Sequence, residues 1–163
     1  MRSADLLAVL QGFYADARAQ RVRHEASARQ VGEYDFNNTY QYVLNREDAH
    51  LRWLRDAIAS IGGSVSDAPS GAEAPLPAGR KVPSATVARD DARAAGALVD
   101  EWQRKLGAVT HARHRRMLDA ILGEVREHQR FFEQVSAGCT DLLGRRTSGS
   151  TPVGRVLPTR WVE

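Results

Sequence analysis

Cysteine is the scarcest chemistry in this chain. Cys139 is the only one in 163 residues, which excludes an intrachain disulfide framework and any four-cysteine zinc or iron–sulfur site. Lysine is nearly absent too: Lys81 and Lys105 stand against 21 arginines. The charge of either sign is almost balanced, with 23 basic and 20 acidic residues and a formal net charge of +3. Nucleic-acid binders usually gather their cations into one patch, whereas here the arginines are interleaved with acids, so a nucleic-acid partner is not expected. No apolar run approaches the ~18 residues of a membrane span, so no membrane association is expected. The N-terminal MRSADLLAVLQGFYADAR lacks the apolar core and small-residue cleavage site of a signal peptide. A soluble cytoplasmic protein is the expectation. Aromatics make up 7% of the residues, and the 42% hydrophobic content is rich in alanine, so the core is lean. The length fits one domain of roughly 150 residues with a tail.

What is present is helical periodicity. Residues 62–84, GGSVSDAPSGAEAPLPAGRKVPS, contain twelve Gly, Pro or Ser and four of the six prolines, and they read as a linker between two similar halves. In the first half, residues 4–30 place Leu6, Leu10, Phe13, Ala17 and His24 on one face. Gly32 is positioned to end this helix and Asp35 to cap the next. Residues 36–61 carry the stripe Tyr40, Val43, Leu44, Glu47, His50, Leu51, Leu54, Ile58 and Ile61, closed by Gly62–Gly63. The second half repeats the plan. Ser84 is a candidate N-cap for a helix over 85–106 with Val87, Asp91, Ala94, Ala95, Leu98, Trp102 and Leu106 inward. Thr110 opens a helix to about 137 with Leu118, Ile121, Val125, His128, Phe132 and Val135 inward. Thr140–Leu143 could add one turn. Nothing reads as a strand. The expected fold is all-α: residues 1–143 as an antiparallel four-helix bundle of two hairpins joined by a long crossover, and residues 144–163 as a tail.

The anomaly lies in the stripes. Glu47 and His50 are three apart on an apolar face, where a carboxylate is costly unless paired or bound to a metal. Helix 4 repeats the combination with Glu124 and His128, one turn apart. In an antiparallel hairpin, positions equidistant from the turn meet. The level opposite Glu47–His50 falls near residue 20, and Glu25 is the nearest acid on the turn side, with His24 adjoining. The level opposite Glu124–His128 falls near 88–92, where Asp91 lies on the apolar stripe and Asp90 faces solvent. Each hairpin thus supplies an acid roughly opposite an acid–imidazole pair.

Over residues 4–137 this pattern resembles the ferritin-like superfamily of rubrerythrins, bacterioferritins and carboxylate-bridged di-iron hydroxylases. There the first helix gives a Glu, the second a Glu-x-x-His, the third an acid and the fourth a second Glu-x-x-His. The resemblance implies a di-iron oxidoreductase of ferroxidase, peroxidase or oxygenase type. Glu47 and Glu124 would be bridges, His50 and His128 nitrogen ligands, and Glu25 and Asp91 terminal carboxylates. The chain departs from the pattern at Val125, three before His128 where the family has Glu, and at Asp91, a shorter acid. These departures admit a single metal, manganese in place of iron, or a bundle without metal. With one cysteine, the chain lacks the four-cysteine iron centre of a complete rubrerythrin.

Other features have plainer readings. His111 and His114 form His-x-x-His at the start of helix 4, which reads as an exposed basic helix end rather than a metal pair. Tyr40 reads as packed core, Trp53 and Trp102 as core or interface, and Cys139 as an incidental thiol. Arg18, Arg21, Arg23 and Arg29 read as a solvated or interface face, consistent with an expected homo-oligomer such as a dimer. In the tail, Val156, Leu157, Trp161 and Val162 follow a Gly/Ser/Thr tether. Its arrangement is similar to the docking peptides of ferritin-like cargo of protein shells, so a protein partner through Val156–Trp161 is a competing, non-catalytic reading. A third is a DinB-like bundle with a histidine-held metal, for which His50 and His128 would serve.

Overall fold

The computed structural model describes residues 3–66, 82–139 and 142–143. Among these residues the chain forms four helices and no strand: α1 (Ser3–Gln30), α2 (Tyr34–Ser60), α3 (Ser84–Leu106) and α4 (Ala112–Ser136). They pack as a helical bundle in which α1 lies on α2 and α3, and α4 on α3 and α2. No helix among the described residues is long and apolar enough to cross a membrane. Residues 67–81 of the expected crossover, residues 140–141 of the expected extra turn, and the tail 144–163 lie outside the described residues.

The helices begin and end close to where the glycines and apolar stripes place them, but the caps differ. Pro83, not Ser84, precedes α3. Ser84 is the first helical residue, and its hydroxyl donates to the Glu33 carboxylate. That bond ties the α1–α2 turn to the start of α3 and lowers the Glu33 carboxyl from its ordinary value. Glu33, not Asp35, precedes α2, with extended backbone and no side-chain cap. Asp35 instead sits in the first turn, where its charge suits the positive end of the helix dipole. His111 rather than Thr110 precedes α4. The C-termini of α2 and α4 follow the glycine rule, whereas Gly107 after α3 stays right-handed. Gly62 (φ 80°) and Gly138 (φ 86°) take the left-handed conformation. The next amides reach back five residues, Gly63 to the Ile58 carbonyl and Cys139 to the Gln134 carbonyl, each at 2.9 Å. These are Schellman closures of α2 and α4.

Contacts between α1 and α2 step down one helix as they step back along the other. The Gln11 amide donates to the Ser64 carbonyl at 2.8 Å, and Arg55 to the Tyr14 hydroxyl at 3.1 Å. Arg21 donates to Asp48 at 2.9 Å, and Asn37 to the Ala28 carbonyl at 3.3 Å.

The core is divided along its length. One apolar cluster takes Leu6, Leu10, Phe13, Leu54, Ile58, Val99, Trp102, Leu118 and Ile121. The other takes Ala28, Val31, Phe36, Tyr40, Val43, Val87, Phe132 and Val135. Each fully buried Leu or Ile contributes ~1.5–3 kcal/mol. Trp102 is buried edge-on against Phe13, with ring centroids 4.8 Å apart, and donates its indole N–H to Asp16 at 2.8 Å. Trp53, read from sequence as core or interface, is 40% exposed. Between the two clusters, α1, α2 and α4 each turn inward a polar residue: His24, Glu47 with His50, and His128.

A polar layer inside the bundle as candidate site

Helical spacing creates this layer. His24 lies between Leu10–Phe13 and Ala28 on α1, and His128 between Val125 and Phe132 on α4, so neither can leave the interior without turning apolar neighbours outward. His24, His50 and His128 are each at most 2% exposed, and Glu47 is 4% exposed. His24 Nδ1 lies 2.7 Å from Glu47 Oε1. His50 Nε2 lies 2.8 Å from Glu124 Oε2. The His50 and His128 rings face each other at 6.3 Å with 23° between planes.

Glu124 is also held from the solvent side. Arg46 donates to it through Nε at 2.8 Å and Nη2 at 2.6 Å, a two-pronged ion pair. Arg46 in turn lies over the Trp53 ring, 5.8 Å from its centroid. The Arg46 hydrogen bond is the main cause that holds the Glu124 carboxyl below its usual range, with His50 adding to it.

Burial governs the imidazoles. His128 is pushed down to about 3, by desolvation first and then by the neighbouring His24 and His50. His50 is also lowered by burial, which outweighs the raising effect of Glu124. Both rings are therefore neutral near pH 7, the form in which imidazole binds a metal. Among the described residues, four atoms of the layer lack a hydrogen-bond partner: His24 Nε2, Glu47 Oε2, and both His128 nitrogens. Gln20 Nε2 joins them at the edge.

Glu47, His50 and Gln20 border a cavity of about 10 Å³, closed by Phe13, Ala17, Leu98, Ile121 and Val125. That is the size of one water or one small ion. A larger groove of about 790 Å³ runs between α1 and α3, and Gln20 and Leu98 border both spaces.

The sequence-expected ligands separate into three groups. Glu47, His50, Glu124 and His128 belong to the layer. Asp91 is fully buried but is taken by other partners: it accepts from the Tyr40 hydroxyl at 2.7 Å and from Arg23 Nε at 2.7 Å. Burial and Asp91 together raise the Tyr40 hydroxyl far above its ordinary value, so it stays a donor. Glu25 is outside the layer. It pairs with Arg21 and Arg29, one turn to either side on α1, and is partly exposed. His24 takes the position expected of Glu25, because neighbours on a helix point about 100° apart. Glu124 pairs across to His50 and Arg46 of α2 rather than with His128 on its own helix. His111 and His114 touch through their Nδ1 atoms at 2.9 Å, away from the layer, and Cys139 is exposed.

In the sequence His24 appears on the inward stripe and beside Glu25 at the level opposite Glu47–His50, but not as a ligand, and Arg46 does not stand out. The signal for His24 was its place on the inward stripe. Arg46 carried none, because an arginine beside a buried glutamate is ordinary on a helix.

Carboxylates and imidazoles are donor types that a small divalent cation takes, and burial lowers the His50 and His128 rings toward the neutral form. Among the described residues no group of three or more His, Cys, Asp or Glu side chains is arranged to hold a metal ion. Comparison with family models, with characterised proteins and with solved structures finds no match.

Proposed function

We propose that this chain is an antiparallel, ferritin-like four-helix bundle that binds a divalent transition metal in its polar layer. Glu47, His50 and His128 are the core donors, with His24 and Glu124 as neighbours. One observation carries the reading: His24 Nε2, Glu47 Oε2 and both His128 nitrogens are buried without partners. Each unsatisfied buried group costs ~1–3 kcal/mol, so four together rival the ~5–15 kcal/mol stability of a whole domain. Such a layer is affordable if something binds it. Neutral imidazoles with a carboxylate suit iron or manganese.

Bound iron would supply redox chemistry of the ferroxidase, peroxidase or oxygenase kind. The chain's own part is to hold neutral imidazoles in a dry layer and to orient Glu47 through His24. The α1–α3 groove adjoins the core cavity at Gln20 and Leu98, which makes it the route by which a small reactant arrives. A cytoplasmic dimer, with a partner contact through the tail, goes with the same reading.

A second reading is favoured by a specific observation. Glu47 and Glu124 already have imidazole or guanidinium partners within the chain. A metal-free scaffold that uses the layer only to fix its packing accounts for those pairs.

Elemental analysis after dialysis against Mn²⁺ or anaerobic Fe²⁺ separates the two. Wild type retains metal and Glu47→Gln/His128→Leu does not, if the layer is a metal site. Equal metal content in both proteins would sink it and leave the scaffold reading.

A further inference from the structure

We propose that the α1–α3 groove is the docking site of this chain's own C-terminal segment, Val156–Val162. The groove exists because alanines meet where the two helices face each other. Ala19 and Ala26 on α1 and Ala94 and Ala97 on α3 leave a furrow of about 790 Å³, lined also by Val22 and Leu98. Helices ~8–10 Å apart need larger side chains than these to close the space between them. The furrow has a direction. Asp16 accepts from Trp102 and Asp91 from Arg23, so contacts run down α1 as they run back along α3. One mouth lies at Gln30 and Val82, and the other at Asp16 and Glu101.

Position, length and charge select the occupant. Leu142 and Val82 pack against the same apolar cluster, which holds Val87, so the chain leaves α4 at the Val82 mouth. The twelve residues 144–155 are a Gly-, Ser- and Thr-rich tether that reaches up to ~40 Å. From Val87 to Glu101, α3 borders the groove over ~21 Å. The seven residues from Val156 to Val162 span ~23 Å when extended. They bring Val156, Leu157, Trp161 and Val162 to an apolar furrow, and a tryptophan alone buries ~150–250 Å². Charge agrees. Asp16, Asp90, Asp91 and Glu101 border the groove against one cation among the described residues, Arg23. Arg93 and Lys105 contact Asp90 and Glu101 from the same helix at exposed sites, where such pairs hold little. Residues 144–163 carry Arg145, Arg146, Arg155 and Arg160 against Glu163 alone. The crossover residues 67–81 lead to the same mouth but suit it less. Leu76 is their one large apolar residue, and Asp67 and Glu73 balance Arg80 and Lys81. The tether also makes docking on the chain's own groove intramolecular, which raises the effective concentration of the segment there.

Gln20 and Leu98 border both this groove and the core cavity, so the docked segment covers the approach to the polar layer, whether or not that layer binds a metal. The experiment labels the full chain with fluorotryptophan and reads its fluorine NMR spectrum. Trp161→Ala assigns the Trp161 signal among the three tryptophans, and the change of shift between light and heavy water reports its contact with solvent. Wild type is compared with Ala97→Arg, which places bulk and positive charge in the groove from an exposed position on α3. Ala120→Arg, at an exposed position on α4 outside the groove, controls for net charge. Circular dichroism confirms that each protein is folded, and Asp90→Lys/Glu101→Lys, both exposed, serves if Ala97→Arg is not.

The expected result is a Trp161 signal shielded from solvent in wild type and Ala120→Arg, exposed in the groove variant, and independent of protein concentration. An exposed Trp161 in wild type overturns the proposal. A shielded signal that the groove variant leaves unchanged puts the segment on another surface and overturns it likewise, and so does loss of shielding in Ala120→Arg, which traces the effect to net charge. Mixing Ala97→Arg with Trp161→Ala tests for docking between chains, since only a second copy's intact groove can then shelter the tryptophan. Shelter restored by mixing, or shielding that grows with concentration, overturns docking on the chain's own groove and gives that groove to the tail of a second copy.

Discussion

Replacing His128 by leucine should stabilise the metal-free protein, an unusual direction for a fully buried site. His128 is fully buried, and neither ring nitrogen has a hydrogen-bond partner among the described residues. A neutral imidazole carries one donor and one acceptor, and each buried group left unsatisfied costs ~1–3 kcal/mol. Leucine removes both. Together the two groups cost ~2–6 kcal/mol, and imperfect filling of the same volume costs under ~1.5 kcal/mol, so the net gain is ~0.5–6 kcal/mol. For a chain of this size each kcal/mol moves Tm by roughly 2–4 °C.

The pH dependence changes with it. His128 is pushed down to about 3 in the folded state, against an ordinary value of about 6.5 when unfolded. Between those limits the unfolded chain holds one more proton than the folded one, so stability falls as pH falls. The slope approaches ~1.4 kcal/mol per pH unit inside the window, and leucine abolishes that share of it. Urea unfolding followed by circular dichroism, with a chelator present, at pH 7, 6 and 5, measures both quantities. Destabilisation by more than ~1 kcal/mol at pH 7, or an unchanged slope between pH 6 and 5, would refute the account of His128.

Three further outcomes follow from particular contacts. Tyr40→Phe removes the hydroxyl that donates to buried Asp91. A hydrogen bond to a charged acceptor is worth ~1.5–3 kcal/mol, so the urea midpoint should fall accordingly, and an unchanged midpoint would count against that bond. Gly138→Ala forces a side chain into the left-handed region at φ 86°, at a cost of ~1–2 kcal/mol, visible as early fraying of α4 in hydrogen exchange. Leu118→Ala opens a cavity at a fully buried position and should cost ~2–5 kcal/mol, read as a lower urea midpoint.

The helices were legible because their apolar stripes are long and their ends carry glycine. Gly62 and Gly138 sit where a left-handed residue is needed, and the inward positions Tyr40, Leu54, Leu118 and Phe132 follow the helical repeat without exception. The polar layer was legible for the same reason: Glu47, His50 and His128 interrupt stripes that are otherwise apolar. The partners were less so. Turn geometry fixed the level on α1 to within about one turn, and the choice between His24 and Glu25 depended on facing, which chemistry alone decided in favour of the acid. The engagement of Glu124 by Arg46 and of Asp91 by Tyr40 and Arg23 depends on contacts between helices distant in sequence. Ser84 does not cap its own helix because its hydroxyl binds Glu33 across the bundle, a tertiary bond that overrides a local preference.

The division of the core by a polar layer also bears on how the helices find their alignment. Apolar stripes alone tolerate sliding, since leucine against leucine one turn away is nearly as good. Moving α2 along its neighbours by one turn, ~5.4 Å, would take Glu47 away from His24 and thrust its carboxylate among hydrocarbon, while His50 would lose Glu124. A bundle misaligned by one turn therefore loses both the His24–Glu47 and the His50–Glu124 pairs, which the native alignment keeps. The acids and imidazoles act as a vernier scale along the bundle axis, reading out a single longitudinal position that leucines and alanines by themselves would leave ambiguous.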